Sequence, residues 1–271
     1  MWALTLKKEE LLSKINVFVD GSWLFKVCKA GSALAKGTAS PTYPFPFDFS
    51  GFVSALVDHV KAETGNDQVS SGKLVLCTSI FDLPDDFNDW PTKIPEVLPD
   101  KVELTKRVVH AKETFSQKAK DAGFSDEAEF HVKMKPWIMS ALDNDSYQEK
   151  QVDTTLVALL VKSAFDSPDD YHAVVSGDAD MLPALRVAYP DYTKNVLVVT
   201  THPDELDSDH KHSSYSYLDY KCDIDPFYFQ LNLERVMEGN HKYRCHECGK
   251  LFTTINQIPG SSLPRCRAHR S

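Results

Sequence analysis

Four aspartates stand where apolar segments of the 271-residue chain begin or end: Asp20, Asp153, Asp178 and Asp180. Asp20 closes the strand-like run Ile15-Asn16-Val17-Phe18-Val19, and Asp178 and Asp180 follow Ala173-Val174-Val175-Ser176-Gly177. Asp153 opens an apolar helical stretch from Val152 to Ala164. A parallel α/β sheet brings the C-terminal ends of its strands to one edge, and ligands bind there. Carboxylates gathered at that edge repel one another unless a cation sits among them. The chemistry they point to is a Mg²⁺ or Mn²⁺ site acting on phosphate, because hard oxygen ligands suit those ions rather than zinc. Each acid also has a plainer use. Asp153 is a candidate helix N-cap, in competition with Thr154 and Thr155, and Asp178 or Asp180 a cap for the next helix. Asp20-Gly21 alone is most often a turn. A single cap after the second strand leaves its other carboxylate unexplained, whereas a shared metal site accounts for all four.

A second set of ligand-type residues closes the chain. Cys245 and Cys248 form a C-x₂-C knuckle, and Cys266 and His269 complete the pattern C-x₂-C-x₁₇-C-x₂-H. Three thiolates and one imidazole make the closed tetrahedral set of structural Zn²⁺. His246, inside the knuckle, is the alternative imidazole. About thirty residues have little core of their own, so metal would largely determine the folding of such a module. Its basic residues, with Tyr243 and Phe252, would suit phosphate contact and base stacking. Zinc ribbons also dock on protein, and the residues favour neither use. The histidines His202, His210 and His212 fall in a polar stretch without ligand spacing and read as solvated.

The elements that must position the acids follow from the apolar pattern. Strand-like runs recur at Val17–Asp20, Lys73–Ile80, Glu129–Met134, His172–Ser176 and Asn195–Thr200, separated by helical patterns. That alternation is the signature of a parallel sheet covered on both faces. Ser50–Glu63 has apolar residues at helical spacing with Ser50 as candidate N-cap. Arg107–Ala122 reads as a polar helix stopped by Gly123, and Gln151–Phe165 as a deeply packed one. Thr38–Phe49 and Asp82–Pro99, rich in proline, read as loops that could rim the sheet edge. Thr201–Tyr220 reads as a polar loop leading into a helix over Pro226–Glu238. The expected organisation is a body over residues 1–238 and a zinc module over 239–271, with no internal repeat.

Composition bounds the function classes. Hydrophobic residues make up 42% and charged residues 25%, as in soluble globular proteins. No apolar run is long enough to span a membrane, and Met1–Lys14 lacks the apolar core of a signal peptide. Cys28, Cys77 and Cys222 lie in or beside apolar segments and read as buried free thiols, which fits a reducing, cytoplasmic setting. The net charge of −9 conceals an asymmetry. From Gly239 to Ser271 six basic residues face only Glu247, a net +5; the rest, with 24 basic and 38 acidic residues, carries −14. The tail would attract nucleic acid and the body would repel it at long range.

Three blocks, VFVDGS at Val17–Ser22, KQVDTTL at Lys150–Leu156 and VVSGDADMLPAL at Val174–Leu185, occur in the order found in the NYN family of PIN-like nucleases, which the chain resembles over Lys14–Tyr220. The resemblance implies a PIN-like, Rossmann-like three-layer α/β sandwich with a central parallel sheet. It implies a metal-dependent ribonuclease in which Asp20, Asp153, Asp178 and Asp180 hold Mg²⁺ or Mn²⁺ while Ser22 and Ser176 supply hydrogen bonds. The expected substrate is RNA, cut endonucleolytically by a metal-activated water. Single-stranded DNA is the alternative, and the ribbon is a candidate surface for a protein partner. Two positions depart from the family pattern. Leu159 stands where an acid is frequent six residues after Asp153, and Met181 stands where Phe is usual. Leu159 keeps open a non-catalytic RNA-binding module, and a 5′-nuclease acting on DNA is a further rival. A haloacid-dehalogenase-type phosphatase is disfavoured, since it needs an Asp where Ser22 stands.

Overall fold

The computed structural model describes residues 12–28, 47–143, 151–201, 227–231, 241–247, 251–254, 257–265 and 269. Six parallel strands build the central sheet: β1 (Lys14–Asp20), β2 (Ser70–Asp82), β3 (Glu129–Lys133), β4 (Tyr171–Val175), β5 (Val196–Thr201) and β6 (Phe227–Leu231), in the spatial order β3-β2-β1-β4-β5-β6. The helices are α1 (Gly21–Cys28), α2 (Phe49–Thr64), the single turn α3 (Trp90–Lys93), α4 (Pro99–Asp121), α5 (Pro136–Asp143), α6 (Gln151–Asp166) and α7 (Leu182–Ala188). The chain steps outward from β1 to β2 and β3, then returns past β1 to β4 and runs the other way. The point of reversal lies between β1 and β4, and in such folds the crevice at that point is where ligands bind.

Side-chain alternation along β1 divides the core into two layers. Ile15, Val17 and Val19 pack with Trp23 and Leu24 of α1, Phe52 and Leu56 of α2 and Phe115 of α4. Phe18 faces the opposite layer, with Val75 and Cys77 of β2, Val174 of β4, Leu156 and Leu160 of α6 and Leu185 of α7. Successive strand residues point to opposite faces, so Asp20, two after Phe18, belongs to the α6 and α7 face. Helices on both faces of a parallel sheet make the three-layer α/β sandwich expected from the alternating pattern.

Several expectations are corrected. Phe227–Leu231 is a strand, β6, paired in parallel with β5, where a helix was expected over Pro226–Glu238. Its three consecutive aromatic residues suit a pleated strand better than a helical stripe. The N-cap of α2 is Asp48, whose Oδ1 accepts the Gly51 N–H at 2.9 Å, rather than Ser50. Helix α4 begins eight residues before Arg107, at Pro99, a residue pre-set for a first helical turn. It ends just before Gly123, whose φ of 90° is the left-handed geometry glycine tolerates. The Asp82–Pro99 stretch is packed rather than loose: Phe87, Trp90 and Val97 share a third cluster with Met134, Ile138 and Met139. This cluster stands over the C-terminal ends of β2 and β3, walling one side of the edge. Residues 202–220 of the expected polar loop and most of Thr38–Phe49 lie outside the described residues. Among the described residues, no helix is long and apolar enough to cross a membrane.

After β6, β7 (His241–Arg244) and β8 (Leu251–Thr254) pair antiparallel as a separate two-stranded sheet.

Candidate functional site

Asp20 is the last residue of β1, paired in register with Cys77 of β2. It is only 3% exposed. Its Oδ1 accepts the Trp23 N–H at 2.9 Å, so it caps α1. Its Oδ2 accepts the Ser176 hydroxyl, also at 2.9 Å, across the gap between β1 and β4. Gly21 makes this approach possible. A Cβ there would stand 2.8 Å from the Cys77 carbonyl oxygen and 2.9 Å from Thr78 Cβ, so α1 can leave β1 against β2 only with glycine.

The β4 turn is tied to the same carboxylate. Ser176 is fully buried, and its Oγ accepts the Asp178 N–H at 3.0 Å while donating to Asp20. Asp178 in turn accepts the Asp180 N–H on Oδ1 at 3.1 Å. Asp180 and Ala179 enter a 3₁₀ turn that leads into α7. One line of hydrogen bonds therefore runs from the end of β1 to the start of α7. Asp178 is half-buried and Asp180 exposed.

Asp153 lies in the first turn of α6, not at its N-cap. The Thr154 hydroxyl donates to the Gln151 carbonyl at 3.2 Å, so it does not cap either. Helix α6 runs opposite to the strands, which brings its N-terminus to the carboxyl edge of the sheet, and a helix N-terminus favours a carboxylate. The charges of both Asp20 and Asp153 act on Cys77, whose buried thiol is pushed up to about 12, first by burial and then by these acids and Glu127. Both acids thus act on one buried thiol, that of the residue paired in register with Asp20.

Burial raises the Asp20 carboxyl above its ordinary value. The Trp23 and Ser176 hydrogen bonds and the charge of Lys26 oppose that rise, while Asp178 adds to it. Burial prevails, so the charged form of Asp20 is held at a cost in the metal-free protein. The donors Asp20, Asp153, Asp178, Asp180 and Ser176 are all oxygens, and Asp20 keeps one lone pair on each oxygen after its two hydrogen bonds. That chemistry fits a hard divalent cation. Among the described residues, no three His, Cys, Asp or Glu side chains are grouped closely enough to hold an ion. The four acids share an edge without meeting at a point.

Ser22 sits half-buried in the first turn of α1. Two further residues escape a reading of the sequence. Cys77 is positioned by strand register, which no local pattern reveals. Lys26 is the exposed residue of α1 one turn beyond Ser22, and its charge reaches Asp20; the i, i+4 spacing was the available signal. Leu159 is packed against the second core layer, about 9 Å along the helix axis from Asp153 at 1.5 Å per residue. Met181 is fully buried in the same layer, where it fills the place of the usual Phe.

The model of the NYN domain matches residues 14–220, from the first residue of β1 to beyond β5. The chain belongs to the NYN domain family. NYN domains are nuclease-type domains, which places the body coarsely among nucleases and hydrolases. The match stops short of β7 and β8. No curated protein matches the chain significantly. Among solved structures, a protein of unknown function from Vibrio parahaemolyticus is similar at 14% sequence identity, over 83% of this chain and 96% of its own, with a TM-score of 0.38.

The C-terminal ligand set is partly described. Cys245 is buried, and its Sγ lies 3.6 Å from Nδ1 of His269, 24 residues away. Cys248 and Cys266 lie outside the described residues. Cys28 and Cys77 are buried free thiols; Cys222 lies outside the described residues.

Proposed function

We propose that this NYN domain is a Mg²⁺- or Mn²⁺-dependent endoribonuclease whose site is the carboxyl edge between β1 and β4. The observation that carries the reading is Asp20: a carboxylate 3% exposed, pinned on both oxygens, at the reversal point of the sheet. Burial makes a charge there costly despite its two hydrogen bonds, and a bound cation would offset that cost. Asp20, Asp153, Asp178 and Asp180 would hold the ion. When bound, such an ion lowers the pKa of water and stabilises charge on the phosphate oxygens.

The protein's own groups orient the reaction. Ser176 and Trp23 fix the Asp20 carboxylate so that it cannot rotate away from the edge. Asp178 and Asp180, reaching solvent beside it, are placed to take the proton released by the attacking water. Lys26 stands one turn along the solvent-facing side of α1, where its ammonium can hold a phosphate of the strand. The water oxygen bonds to phosphorus and the P–O3′ bond breaks. The leaving O3′ takes a proton from solvent water at the open edge, giving 5′-phosphate and 3′-hydroxyl ends. The ribose 2′-OH takes no part.

A second reading, a non-catalytic RNA-binding module, is favoured by Leu159 and by the absence of three convergent ligands among the described residues. Labelled single-stranded RNA and DNA incubated with Mn²⁺, Mg²⁺ or EDTA separate the readings. Divalent-dependent cleavage of RNA supports the nuclease, and preferential cleavage of DNA redirects it to the rival substrate. Binding without cleavage under every condition supports the module.

A further inference from the structure

The β7–β8 hairpin is too small to hold itself together. Each strand has four residues, and a two-stranded hairpin alone is marginal in water. Its described core is Cys245 with Tyr243 and Ile258 packed beside it. Yet the turn after β7 is clamped to a segment well beyond β8. The His246 N–H donates to the Pro264 carbonyl at 2.8 Å, and the Ile258 N–H donates to the Tyr243 hydroxyl at 2.8 Å. Arg265 pairs with Glu247 at 2.9 Å. These contacts bring the stretch that precedes Cys266 against the Cys245 turn.

At the centre of this clamp Cys245 Sγ stands 3.6 Å from His269 Nδ1. Two ligands of one tetrahedral zinc ion, a sulfur at about 2.3 Å and a nitrogen at about 2.0–2.1 Å, must lie about 3.6 Å apart. A neutral thiol donating to the imidazole would give a similar distance. It would leave the folding of so small a module unexplained, along with the placing of a second cysteine three residues on either side of this pair: Cys248 after Cys245, and Cys266 before His269.

We infer that the C-terminal hairpin is a closed zinc site in which Cys245 and His269 are ligands, with the remaining two positions assigned by spacing to Cys248 and Cys266. His246 is left out of the set: it is exposed, and it is the ring of His269 that meets the Cys245 sulfur. Four protein ligands leave no open position, so this ion is structural. It is separate in ligand type and in position along the chain from the oxygen-lined edge of the body. Nothing in it depends on the nuclease reading.

The test is zinc content of the purified full chain by mass spectrometry, together with Co²⁺ titration of the metal-free chain. The expected result is one zinc per chain and a cobalt spectrum with thiolate charge transfer and strong tetrahedral bands. Cys245→Ser should lose the ion. His269→Ala should weaken zinc binding by more than the roughly 10–100-fold that follows loss of a supporting hydrogen bond alone. His269→Cys should restore one zinc, which separates a ligand from a residue needed only for folding, and His246→Ala should keep it. Circular dichroism serves as the control, because the signal of the body should be unchanged in every variant. A metal-free wild-type chain that binds no cobalt overturns the inference. So does full zinc retention in His269→Ala, or its loss in His246→Ala.

Discussion

Asp20 and Cys245 are both buried side chains of metal-ligating type, and they sit in opposite surroundings. Around Asp20 stand two full core layers, in which Phe18, Phe52, Phe115 and Leu156 are completely enclosed. Each such side chain contributes roughly 1.5–3 kcal/mol on burial. Around Cys245 the described packing is Tyr243 and Ile258. The body therefore has stability to spare and uses some of it to hold a carboxylate in an unfavourable place. The described hairpin has little packing of its own, so the proposed zinc would carry its folding. The two proposed metal sites would thus differ in their weight on folding: cation removal should leave the first region folded and dismantle the second.

The largest effect expected from this contrast comes from stripping zinc or introducing Cys245→Ser. Amide-exchange protection over His241–Arg244 and Leu251–Thr254 should vanish entirely while β1 and β4 keep theirs. Loss of protection in both regions would make them one folding unit.

Next in size is Gly21→Ala. The added Cβ meets the backbone of β2, which cannot give way, so overpacking should cost about 1–3 kcal/mol. Urea denaturation checks it, and zinc content should not change.

A smaller effect has the unusual sign. Asp20→Asn should stabilise the metal-free body, by something on the order of 1 kcal/mol, because a residue kept for function often costs stability. It should also abolish any rise in melting temperature with Mn²⁺. A destabilised Asp20→Asn body would show that its hydrogen bonds to Trp23 and Ser176 outweigh the cost of burying its charge.

The smallest concerns His172, fully buried at the opposite end of β4. Its Nε2–H donates to the Ser167 carbonyl at 3.0 Å, and its Nδ1 faces the Ser163 hydroxyl at 3.1 Å. Burial lowers its pKa below the ordinary 6.5. Between the folded value and 6.5 the unfolded chain binds more protons. The body thus has this stability in full above 6.5 and loses it as the pH falls through that window. Urea midpoints at about pH 7.5 and 5.5 should differ more for the wild type than for His172→Gln, by about 1 kcal/mol or less.

The same contrast marks what is legible in the sequence. Asp20, Asp178 and Asp180 stand out because an apolar strand run ends abruptly in acid, and α6 because its apolar pattern spans about four turns. Periodicity cannot decide between helix and strand for Phe227–Leu231, five residues followed by a helix-like pattern. Asp48 and Ser50 are both capping residue types, and only the hydrogen bond to Gly51 separates them. Prolines and acids make Asp82–Pro99 look like loop, although Phe87 and Trp90 anchor it. Cys77 and Lys26 depend on register and on which side of α1 faces solvent, properties of the assembled sheet rather than of any local stretch. In the tail, ligand spacing is legible, whereas the choice between His269 and His246 needs a distance.

Whether the carboxyl edge of this NYN domain cuts RNA with a divalent cation held on Asp20 can be decided in one assay. End-labelled single-stranded RNA is incubated in Mn²⁺ with the wild-type chain and with Asp20→Asn. Internal cleavage to 5′-phosphate ends is expected of the wild type, stopped by EDTA and absent in Asp20→Asn. Equal cleavage by the two proteins, or none by the wild type with Mn²⁺ or Mg²⁺, would rule the assignment out.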